Sequence, residues 1–316
     1  MKLLITGADG FVGGWLARRL LADGHHVVGT HRRGRGPSPV LAPVEAARVS
    51  WRELELCSAE SVATLCQERW DAVVHLAAVA SGSEARDNPG LAWEVNAAGT
   101  ARLCEALALR VAARQGDPVF LLASTGEVYG SGSSRPHHEN DPPLPCSPYA
   151  ASKLGAEIAA LETARRGGLR VIVARPFTHS GPGQDIRFVL PALASRLLAA
   201  KRTGAATIKA GNLDPVRDVL DVRDVVEAYL ALLARGSAGE TYNISSGEGH
   251  ALLELLRRLE RLAGWKVRPE VDERLTRRGD IPHLVGNAEK LRRETGWEPR
   301  IPLDQTLEEL LRAQAD

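Results

Sequence analysis

The chain has almost no surplus of charge. Its 40 Lys and Arg against 39 Asp and Glu leave +1 over 316 residues, too little to neutralise a phosphate backbone, so nucleic acid is excluded as the main partner. No apolar run reaches transmembrane length, which excludes a membrane partner of that kind, and there is no internal repeat or low-complexity tract. The four cysteines (57, 66, 104, 146) form no C-x-x-C and pair with no histidine at metal spacing. A disulfide framework and a zinc site are thereby excluded, and buried thiols in a reducing compartment are expected. A strand-like run, Lys2-Leu3-Leu4-Ile5-Thr6, stands at the very start, and the expectation is a cytoplasmic protein. Lysine is scarce too: six lysines stand against 34 arginines.

What is present is the composition of an ordinary globule, 44% apolar and 25% charged, long enough for one large domain or two joined ones. Short apolar, β-branched runs at 2–6, 26–30, 72–76, 118–123 and 169–174 alternate with helical patterns near 11–22, 58–68, 91–114 and 148–166. That order predicts an α/β fold with a doubly wound parallel sheet, helices on both faces, and a smaller α/β C-terminal part. After about residue 176 the pattern loosens, with helices near 187–201, 222–234, 251–263, 287–295 and 303–313 and short strands at 206–209 and 240–244. The stretch 33–48, rich in Gly and Pro, reads as an exposed loop.

Two local motifs carry chemistry. Thr6-Gly7-Ala8-Asp9-Gly10-Phe11-Val12-Gly13 leaves the first strand and opens a helix. Glycines at that spacing allow a tight turn and let a pyrophosphate approach the backbone at the helix N-terminus, the arrangement of a dinucleotide site. The second strand ends in Thr30-His31-Arg32-Arg33 with no acid for the ribose 2′-OH, and Arg32 suits a 2′-phosphate; NADPH is preferred over NADH on this ground. Further on, Ser147 can cap a helix that Pro148 opens, and Tyr149 and Lys153 then share one face at i and i+4. A lysine cation beside the phenol is expected to lower its pKa, so that Tyr149 exchanges a proton at neutral pH. A chain that almost always writes Arg has placed the compact point charge of Lys here. The spacing alone also occurs on ordinary helices, so its weight comes from its company.

That company is extensive. The glycine loop, His75-Leu76-Ala77-Ala78, Asn96-Ala97-Ala98-Gly99-Thr100, Ser124-Thr125-Gly126-Glu127-Val128-Tyr129-Gly130 and Tyr149-Ala-Ala-Ser-Lys153 together resemble the extended short-chain dehydrogenase/reductase family, in its nucleotide-sugar branch. Arg175-Pro176-Phe177-Thr178-His179, Arg187-Phe188-Val189, Pro215-Val216-Arg217-Asp218 and Arg277-Arg278-Gly279-Asp280 look most like enzymes of GDP-sugars. GDP-6-deoxy-4-keto-hexose reductases of the GDP-rhamnose-forming type and GDP-mannose 4,6-dehydratases are the nearest in pattern.

The resemblance implies a Rossmann-type dinucleotide-binding part (1–175 and 216–244) and a nucleotide-sugar part (176–215 and 245–316). It implies Thr125, Tyr149 and Lys153 as catalytic groups, with Thr125 on the sugar O4 and Lys153 on the nicotinamide ribose. It implies cofactor contacts from Gly7, Gly10, Phe11, Val12, Gly13, Arg32, Glu55, Leu56, Leu76, Ala77, Ala78, Tyr149 and Lys153, although Glu55 stands where relatives have aspartate. Substrate contacts would come from Thr178, Arg187, Val189, Arg217 and Arg277, with Thr178 in place of the usual Asn and the two last arginines clamping the diphosphate. No metal is implied, and a homodimer through helices 91–114 and 148–166 is.

The reaction stays open at this point. Reduction of the C4 ketone of a GDP-4-keto-6-deoxy-hexose is favoured; a 4,6-dehydratase using Glu127 as base, or another nucleotide-sugar 4-epimerase or reductase, is the alternative. A non-catalytic dinucleotide-binding protein is a further class, against which the intact Tyr149/Lys153 pair weighs. His137 and His138 are read as surface residues, His179 as a second acid candidate, and the six tryptophans as packing anchors.

Overall fold

The computed structural model describes residues 1–275 and 280–315. Strands β1 (Lys2–Thr6), β2 (His26–His31), β3 (Ser50–Glu53), β4 (Ala72–His75), β5 (Val119–Ala123) and β6 (Arg170–Pro176) lie in one sheet. With Thr241–Ile244 added at its edge, the order from that edge is Thr241–Ile244, β6, β5, β4, β1, β2, β3, every pair parallel. The order reverses between β1 and β4, which is the Rossmann arrangement. Its inner strands are continuous apolar runs, as β1 (buried from Leu3 onward) illustrates, because both faces are covered.

One face carries α1 (Phe11–Ala22), whose Leu16, Ala17 and Leu20 join a core with Ile5, Val27 and Val74. A four-residue helix, α2 (Pro43–Ala46), interrupts the loop that follows β2. The other face is built by α3 (Ala59–Cys66), α6 (Gly99–Ala112) and α7 (Pro148–Gly167) over Leu4, Val28, Val73 and Phe120. Between α3 and α6 come two short helices, α4 (Gly82–Asp87) and α5 (Pro89–Trp93). The helix expected over 91–114 is present but not uniform, since residues Glu94–Ala98 form a π-helical turn that joins α5 to α6. The turn is tied down by Asn96, a buried residue whose side chain is fully engaged.

Beyond β6 the chain forms β7 (Thr178–Ser180), α8 (Val189–Thr203), β8 (Thr207–Ala210), β9 (Val216–Asp221) and α9 (Val222–Arg235). Then come β10, the Thr241–Ile244 edge strand, β11 (Gly249–Ala251), α10 (Leu252–Ala263), β12 (Arg268–Val271), β13 (His283–Leu284), α11 (Glu289–Thr295) and α12 (Leu303–Ala315). Helix α9 returns to the α1 face of the main sheet, burying Val225, Val226 and Tyr229 there. Residues 216–221, expected with the dinucleotide part, are β9, the centre of a second sheet with β7, β11 and β13. A separate apolar core forms where α8, α10 and α12 meet, around Leu193, Leu197, Leu255, Leu256, Leu307 and Leu310. Among the described residues no helix is long and apolar enough to cross a membrane.

Candidate active site

The glycine loop lies at the carboxyl ends of β1 and β4, where the strand order reverses. Gly7 has φ +74°, and a Cβ there would stand 2.8 Å from the Ala77 nitrogen. A Cβ at Gly13 would run into the Gly7 carbonyl oxygen. Both positions therefore require glycine, the first for a left-handed turn and the second for close packing of α1 on the loop. Helix α1 starts at Gly10 with no side-chain cap, so its first N–H groups face the loop mouth. This bare cradle fits a dinucleotide pyrophosphate, with Phe11 and Val12 in the first turn.

Polar bonds hold the cradle open. The Gly7 N–H donates to Thr30 Oγ1 at 3.1 Å and the Ser38 hydroxyl to the Gly10 carbonyl at 2.8 Å. Thr6 Oγ1 accepts from the Ala77 N–H at 3.2 Å, so its own proton points at His75 Nδ1, 2.7 Å away. His75 Nε2 then donates to Thr100 Oγ1 at 3.0 Å, whose hydroxyl donates to the Asn96 carbonyl at 2.6 Å. Burial and, next to it, the Lys153 charge pull the His75 pKa down to about 3, so the imidazole is a neutral structural link. Leu76, Ala77 and Ala78 follow at the cradle's rim, partly exposed.

At the adenosine end, Arg32 is exposed just past β2, and the His31 ring beside it is tilted against Trp51. Glu55 is exposed beyond β3; its carboxylate accepts from the Cys57 N–H at 3.1 Å, while Leu56 is buried beneath Gly99.

The expected catalytic groups converge at the end of β5 and the start of α7. Ser147 caps α7 through the Ala150 N–H, Pro148 occupies its first turn, and Gly168 closes it in the left-handed conformation. Thr125 opens a short 3-10 turn (Gly126–Tyr129), its Oγ1 accepting from the Glu127 N–H at 3.2 Å. That leaves the Thr125 proton to donate, with the Tyr149 phenol beside it. Lys153 follows one turn along, 4% exposed.

The electrostatics differ from the expectation of a softened phenol. Burial raises the Tyr149 pKa above its ordinary value, the Glu127 carboxylate raises it further, and only the Thr125 bond opposes them. Lys153 is itself pulled down to about 8 by burial, with Glu157 opposing. In this site desolvation is the largest influence on the phenol, and at neutral pH Tyr149 holds its proton.

Other expected residues are placed less simply. Thr178 is part-buried in β7, paired with Val219 of β9, and Val189 begins α8. Arg187 is half-exposed and ion-paired with Asp185 at 3.1 Å and Glu84 at 3.7 Å. Arg217 is largely buried, donating to Asp280 at 2.7 Å and to the Ile281 carbonyl at 2.7 Å. Arg277 lies outside the described residues. His179 donates through Nδ1 to the Phe177 carbonyl at 2.9 Å and is kept neutral chiefly by burial.

His137 is not a surface residue: it is 5% exposed and stacked on Tyr129 with centroids 4.8 Å apart, because the chain at 137 bridges to Gly286. Trp93 departs from the packing role, being 47% exposed. Of the four free cysteines, Cys66 and Cys104 are buried but Cys146 is exposed.

The chain matches the GDP-mannose 4,6 dehydratase family over residues 4–310. It belongs to that family. Among the relatives of this dehydratase family, the GDP-6-deoxy-D-mannose reductase of Pseudomonas aeruginosa is 37% identical over 98% of this chain and 96% of its own. The solved structure of RMD from Pseudomonas aeruginosa complexed with NADPH superposes with a TM-score of 0.83 at 34% identity, covering 99% of this chain and 98% of its own. DesIV, a dTDP-glucose 4,6-dehydratase from Streptomyces venezuelae solved with NAD and TYD bound, superposes at 0.88 with 29% identity, covering 100% and 97%.

Two further groups, neither evident as a site residue in the sequence, join this site. Asn96 accepts from the Val79 N–H at 2.8 Å and donates to Ser152 Oγ at 2.9 Å, joining the loop after β4 to the helix between Tyr149 and Lys153. Its signal was present in the Asn96–Thr100 motif, but nothing in sequence reveals a π turn. Glu157 was legible only as the next i+4 step after Lys153.

Proposed function

We propose that the chain reduces the C4 ketone of a GDP-4-keto-6-deoxy-hexose with NADPH, as a cytoplasmic enzyme. The observation that carries this reading is Tyr149 beside Thr125, buried so that its phenol keeps its proton, and followed one turn along α7 by Lys153. A phenol that keeps its proton at neutral pH is set to give one to a carbonyl oxygen, which is what reduction asks of it. The P. aeruginosa reductase supports the GDP-sugar as substrate class.

NADPH, when bound, supplies the hydride. The glycine loop would hold its pyrophosphate, Arg32 its 2′-phosphate, Glu55 and Leu56 the adenine side, Leu76 to Ala78 the inner rim, and Lys153 the nicotinamide ribose. Thr125 donates to the sugar O4 and fixes it beside Tyr149. As charge builds on that oxygen, Tyr149 transfers its phenolic proton, and Lys153 stabilises the phenolate left behind. Arg217 would take one side of the diphosphate as a forked donor, with Thr178, Arg187 and Val189 around the sugar. The dinucleotide-binding part would span 1–175 and 222–244, and the sugar-binding part 176–221 and 245–316.

One observation favours a second reading. Glu127 stands two residues after Thr125 and acts electrostatically on Tyr149, where it could serve as the base of a 4,6-dehydratase. Incubation with GDP-mannose alone, and separately with its 4-keto-6-deoxy derivative and NADPH, separates the two. NADPH oxidation with the keto sugar only is the expected result; consumption of GDP-mannose alone overturns it in favour of dehydration.

The assembly proposed is a homodimer. An apolar groove lined by Trp93, Ala97, Ala101, Leu154, Gly155 and Ile158 runs between the π turn and α7, with Trp93 and Ile158 47% and 61% exposed. A second copy presenting the same surface would cover it symmetrically.

A further inference from the structure

We propose that Glu157 is a positioning residue of this site, locking the Thr125 turn to the Tyr149/Lys153 helix face and providing the negative charge that Lys153 faces. The proposal rests on the reductase reading for its turnover arm, and its binding arm is independent of it.

Residues 149, 153 and 157 lie at i, i+4 and i+8 on α7, so the phenol, the ammonium and the carboxylate share one stripe. Glu157 is 2% exposed. The Ser124 hydroxyl donates to its Oε1. Arg175, 6% exposed, donates Nε to Oε1 at 3.0 Å and Nη2 to Oε2 at 2.7 Å. The Ser124 N–H also donates to the Ala174 carbonyl at 2.7 Å. A closed ring results, running from Ser124 through Glu157 and Arg175 to Ala174 and back. It ties the carboxyl ends of β5 and β6 to α7, and the residue after Ser124 is Thr125.

The ring extends further. Arg175 Nη1 donates to the Tyr129 hydroxyl at 2.9 Å, and that hydroxyl donates to Asn243 Oδ1 at 2.7 Å. Thus both ends of the 3-10 turn that Thr125 begins are held against the sheet. A reacting geometry is sensitive to displacements of about 1 Å, and this ring sets the distance between the Thr125 turn and the Tyr149 helix.

Charge gives Glu157 its second role. Facing Lys153 are Glu157 and Tyr149 on its own helix and the neutral His75 on β4. Arg175 on β6 lies behind Glu157, and Glu127 on the 3-10 turn bears on Tyr149. Three carboxylates of other elements packed on α7 have partners of their own: Glu94 with Arg102, Glu105 with Arg166 and Glu84 with Arg187. Glu157, one turn beyond Lys153 on the same helix face, is therefore the carboxylate that opposes burial at the ammonium, and removing its charge would leave Lys153 and Arg175 as two uncompensated buried cations.

Three variants test this: Glu157→Gln, Glu157→Asp and Ser124→Ala, each checked by thermal unfolding. In Glu157→Gln the alkaline limb of both kcat and NADPH affinity, the latter by fluorescence titration, should move towards acid by about one pH unit or more. Glu157→Asp keeps the charge and should restore the limb. Ser124→Ala, which loses one hydroxyl, should keep the limb and KM while kcat falls roughly tenfold or more. Uniform loss across pH in Glu157→Gln, or an unmoved limb in its NADPH affinity, overturns the charge role. A wild-type kcat in Ser124→Ala overturns the positioning role. Should wild type fail to oxidise NADPH with the keto sugar, the reductase reading falls while the NADPH-affinity limb still decides the role of Glu157.

Discussion

Phe177 lies across Gly126 so closely that a Cβ at residue 126 would meet the ring carbons Cγ, Cδ1 and Cδ2 each at 3.0 Å. The residue between Thr125 and Glu127 is therefore glycine for a packing reason, and a side chain able to join the acid–base chemistry has no room there. Gly126→Ala is expected to cost about 1–3 kcal/mol by overpacking and to lower kcat by shifting Thr125. Urea unfolding and steady-state kinetics check it; unchanged stability and turnover would show that the ring yields freely.

Much of this relationship was legible in the sequence, and part was not. The glycine spacing located the cradle because backbone close approach has few residue solutions, and Ser147-Pro148 located α7 because capping chemistry is local. What escaped was non-local. Phe177 meets Gly126 across 51 positions, Glu157 meets Arg175 only because β6 runs beside β5, and His137 is buried by a bridge to Gly286. The charge state of Tyr149 also escaped, since i+4 spacing reports a cation on the same helix face but not the burial of the phenol.

Tyr149→Phe removes the donated proton and leaves the ring. kcat should fall by roughly 10²–10⁴-fold, with NADPH affinity near wild type by fluorescence titration. Wild-type turnover in this variant would eliminate the phenol as the acid.

Arg32 stands exposed where β2 ends, with no carboxylate beside it in the Thr30-His31-Arg32-Arg33 run. Arg32→Asp should withdraw a cation from a 2′-phosphate and offer an acceptor to a 2′-OH. The ratio of kcat/KM for NADPH over NADH is expected to drop by about 10- to 100-fold, the worth of one or two charge-assisted hydrogen bonds. An unchanged ratio would remove Arg32 from the adenosine end.

Ile158 is 61% exposed on the α7 side of the apolar groove. Ile158→Glu should convert a dimer to a monomer in sedimentation velocity, with little effect on thermal stability measured at low protein concentration, because the residue touches no core. A wild-type chain that sediments as a monomer would refute the assembly directly.

Lys153 makes the opposite trade, since its burial is a cost that the fold carries for function. The folded chain releases the Lys153 proton near pH 8, whereas the unfolded chain holds it to 10.5. Below pH 8 both states are charged and the burial cost is fully present, a difference of about 3 kcal/mol by linkage. Between these values unfolding takes up a proton, so this group makes stability rise with pH; above 10.5 both states are neutral and the contribution is constant. Lys153→Met, similar in volume and uncharged, should therefore be more stable than wild type at pH 7, by about 1–3 kcal/mol after allowing for imperfect packing. Its advantage should shrink as pH rises from 8 towards 10.5. The buried thiols of Cys66 and Cys104, pushed up by desolvation, titrate alike in both proteins and cancel in the difference. Urea unfolding of the pair across this range, beside a turnover assay in which the variant should be inactive, measures the trade. A variant less stable than wild type at pH 7 would mean that Lys153 is satisfied in the folded site rather than strained by it.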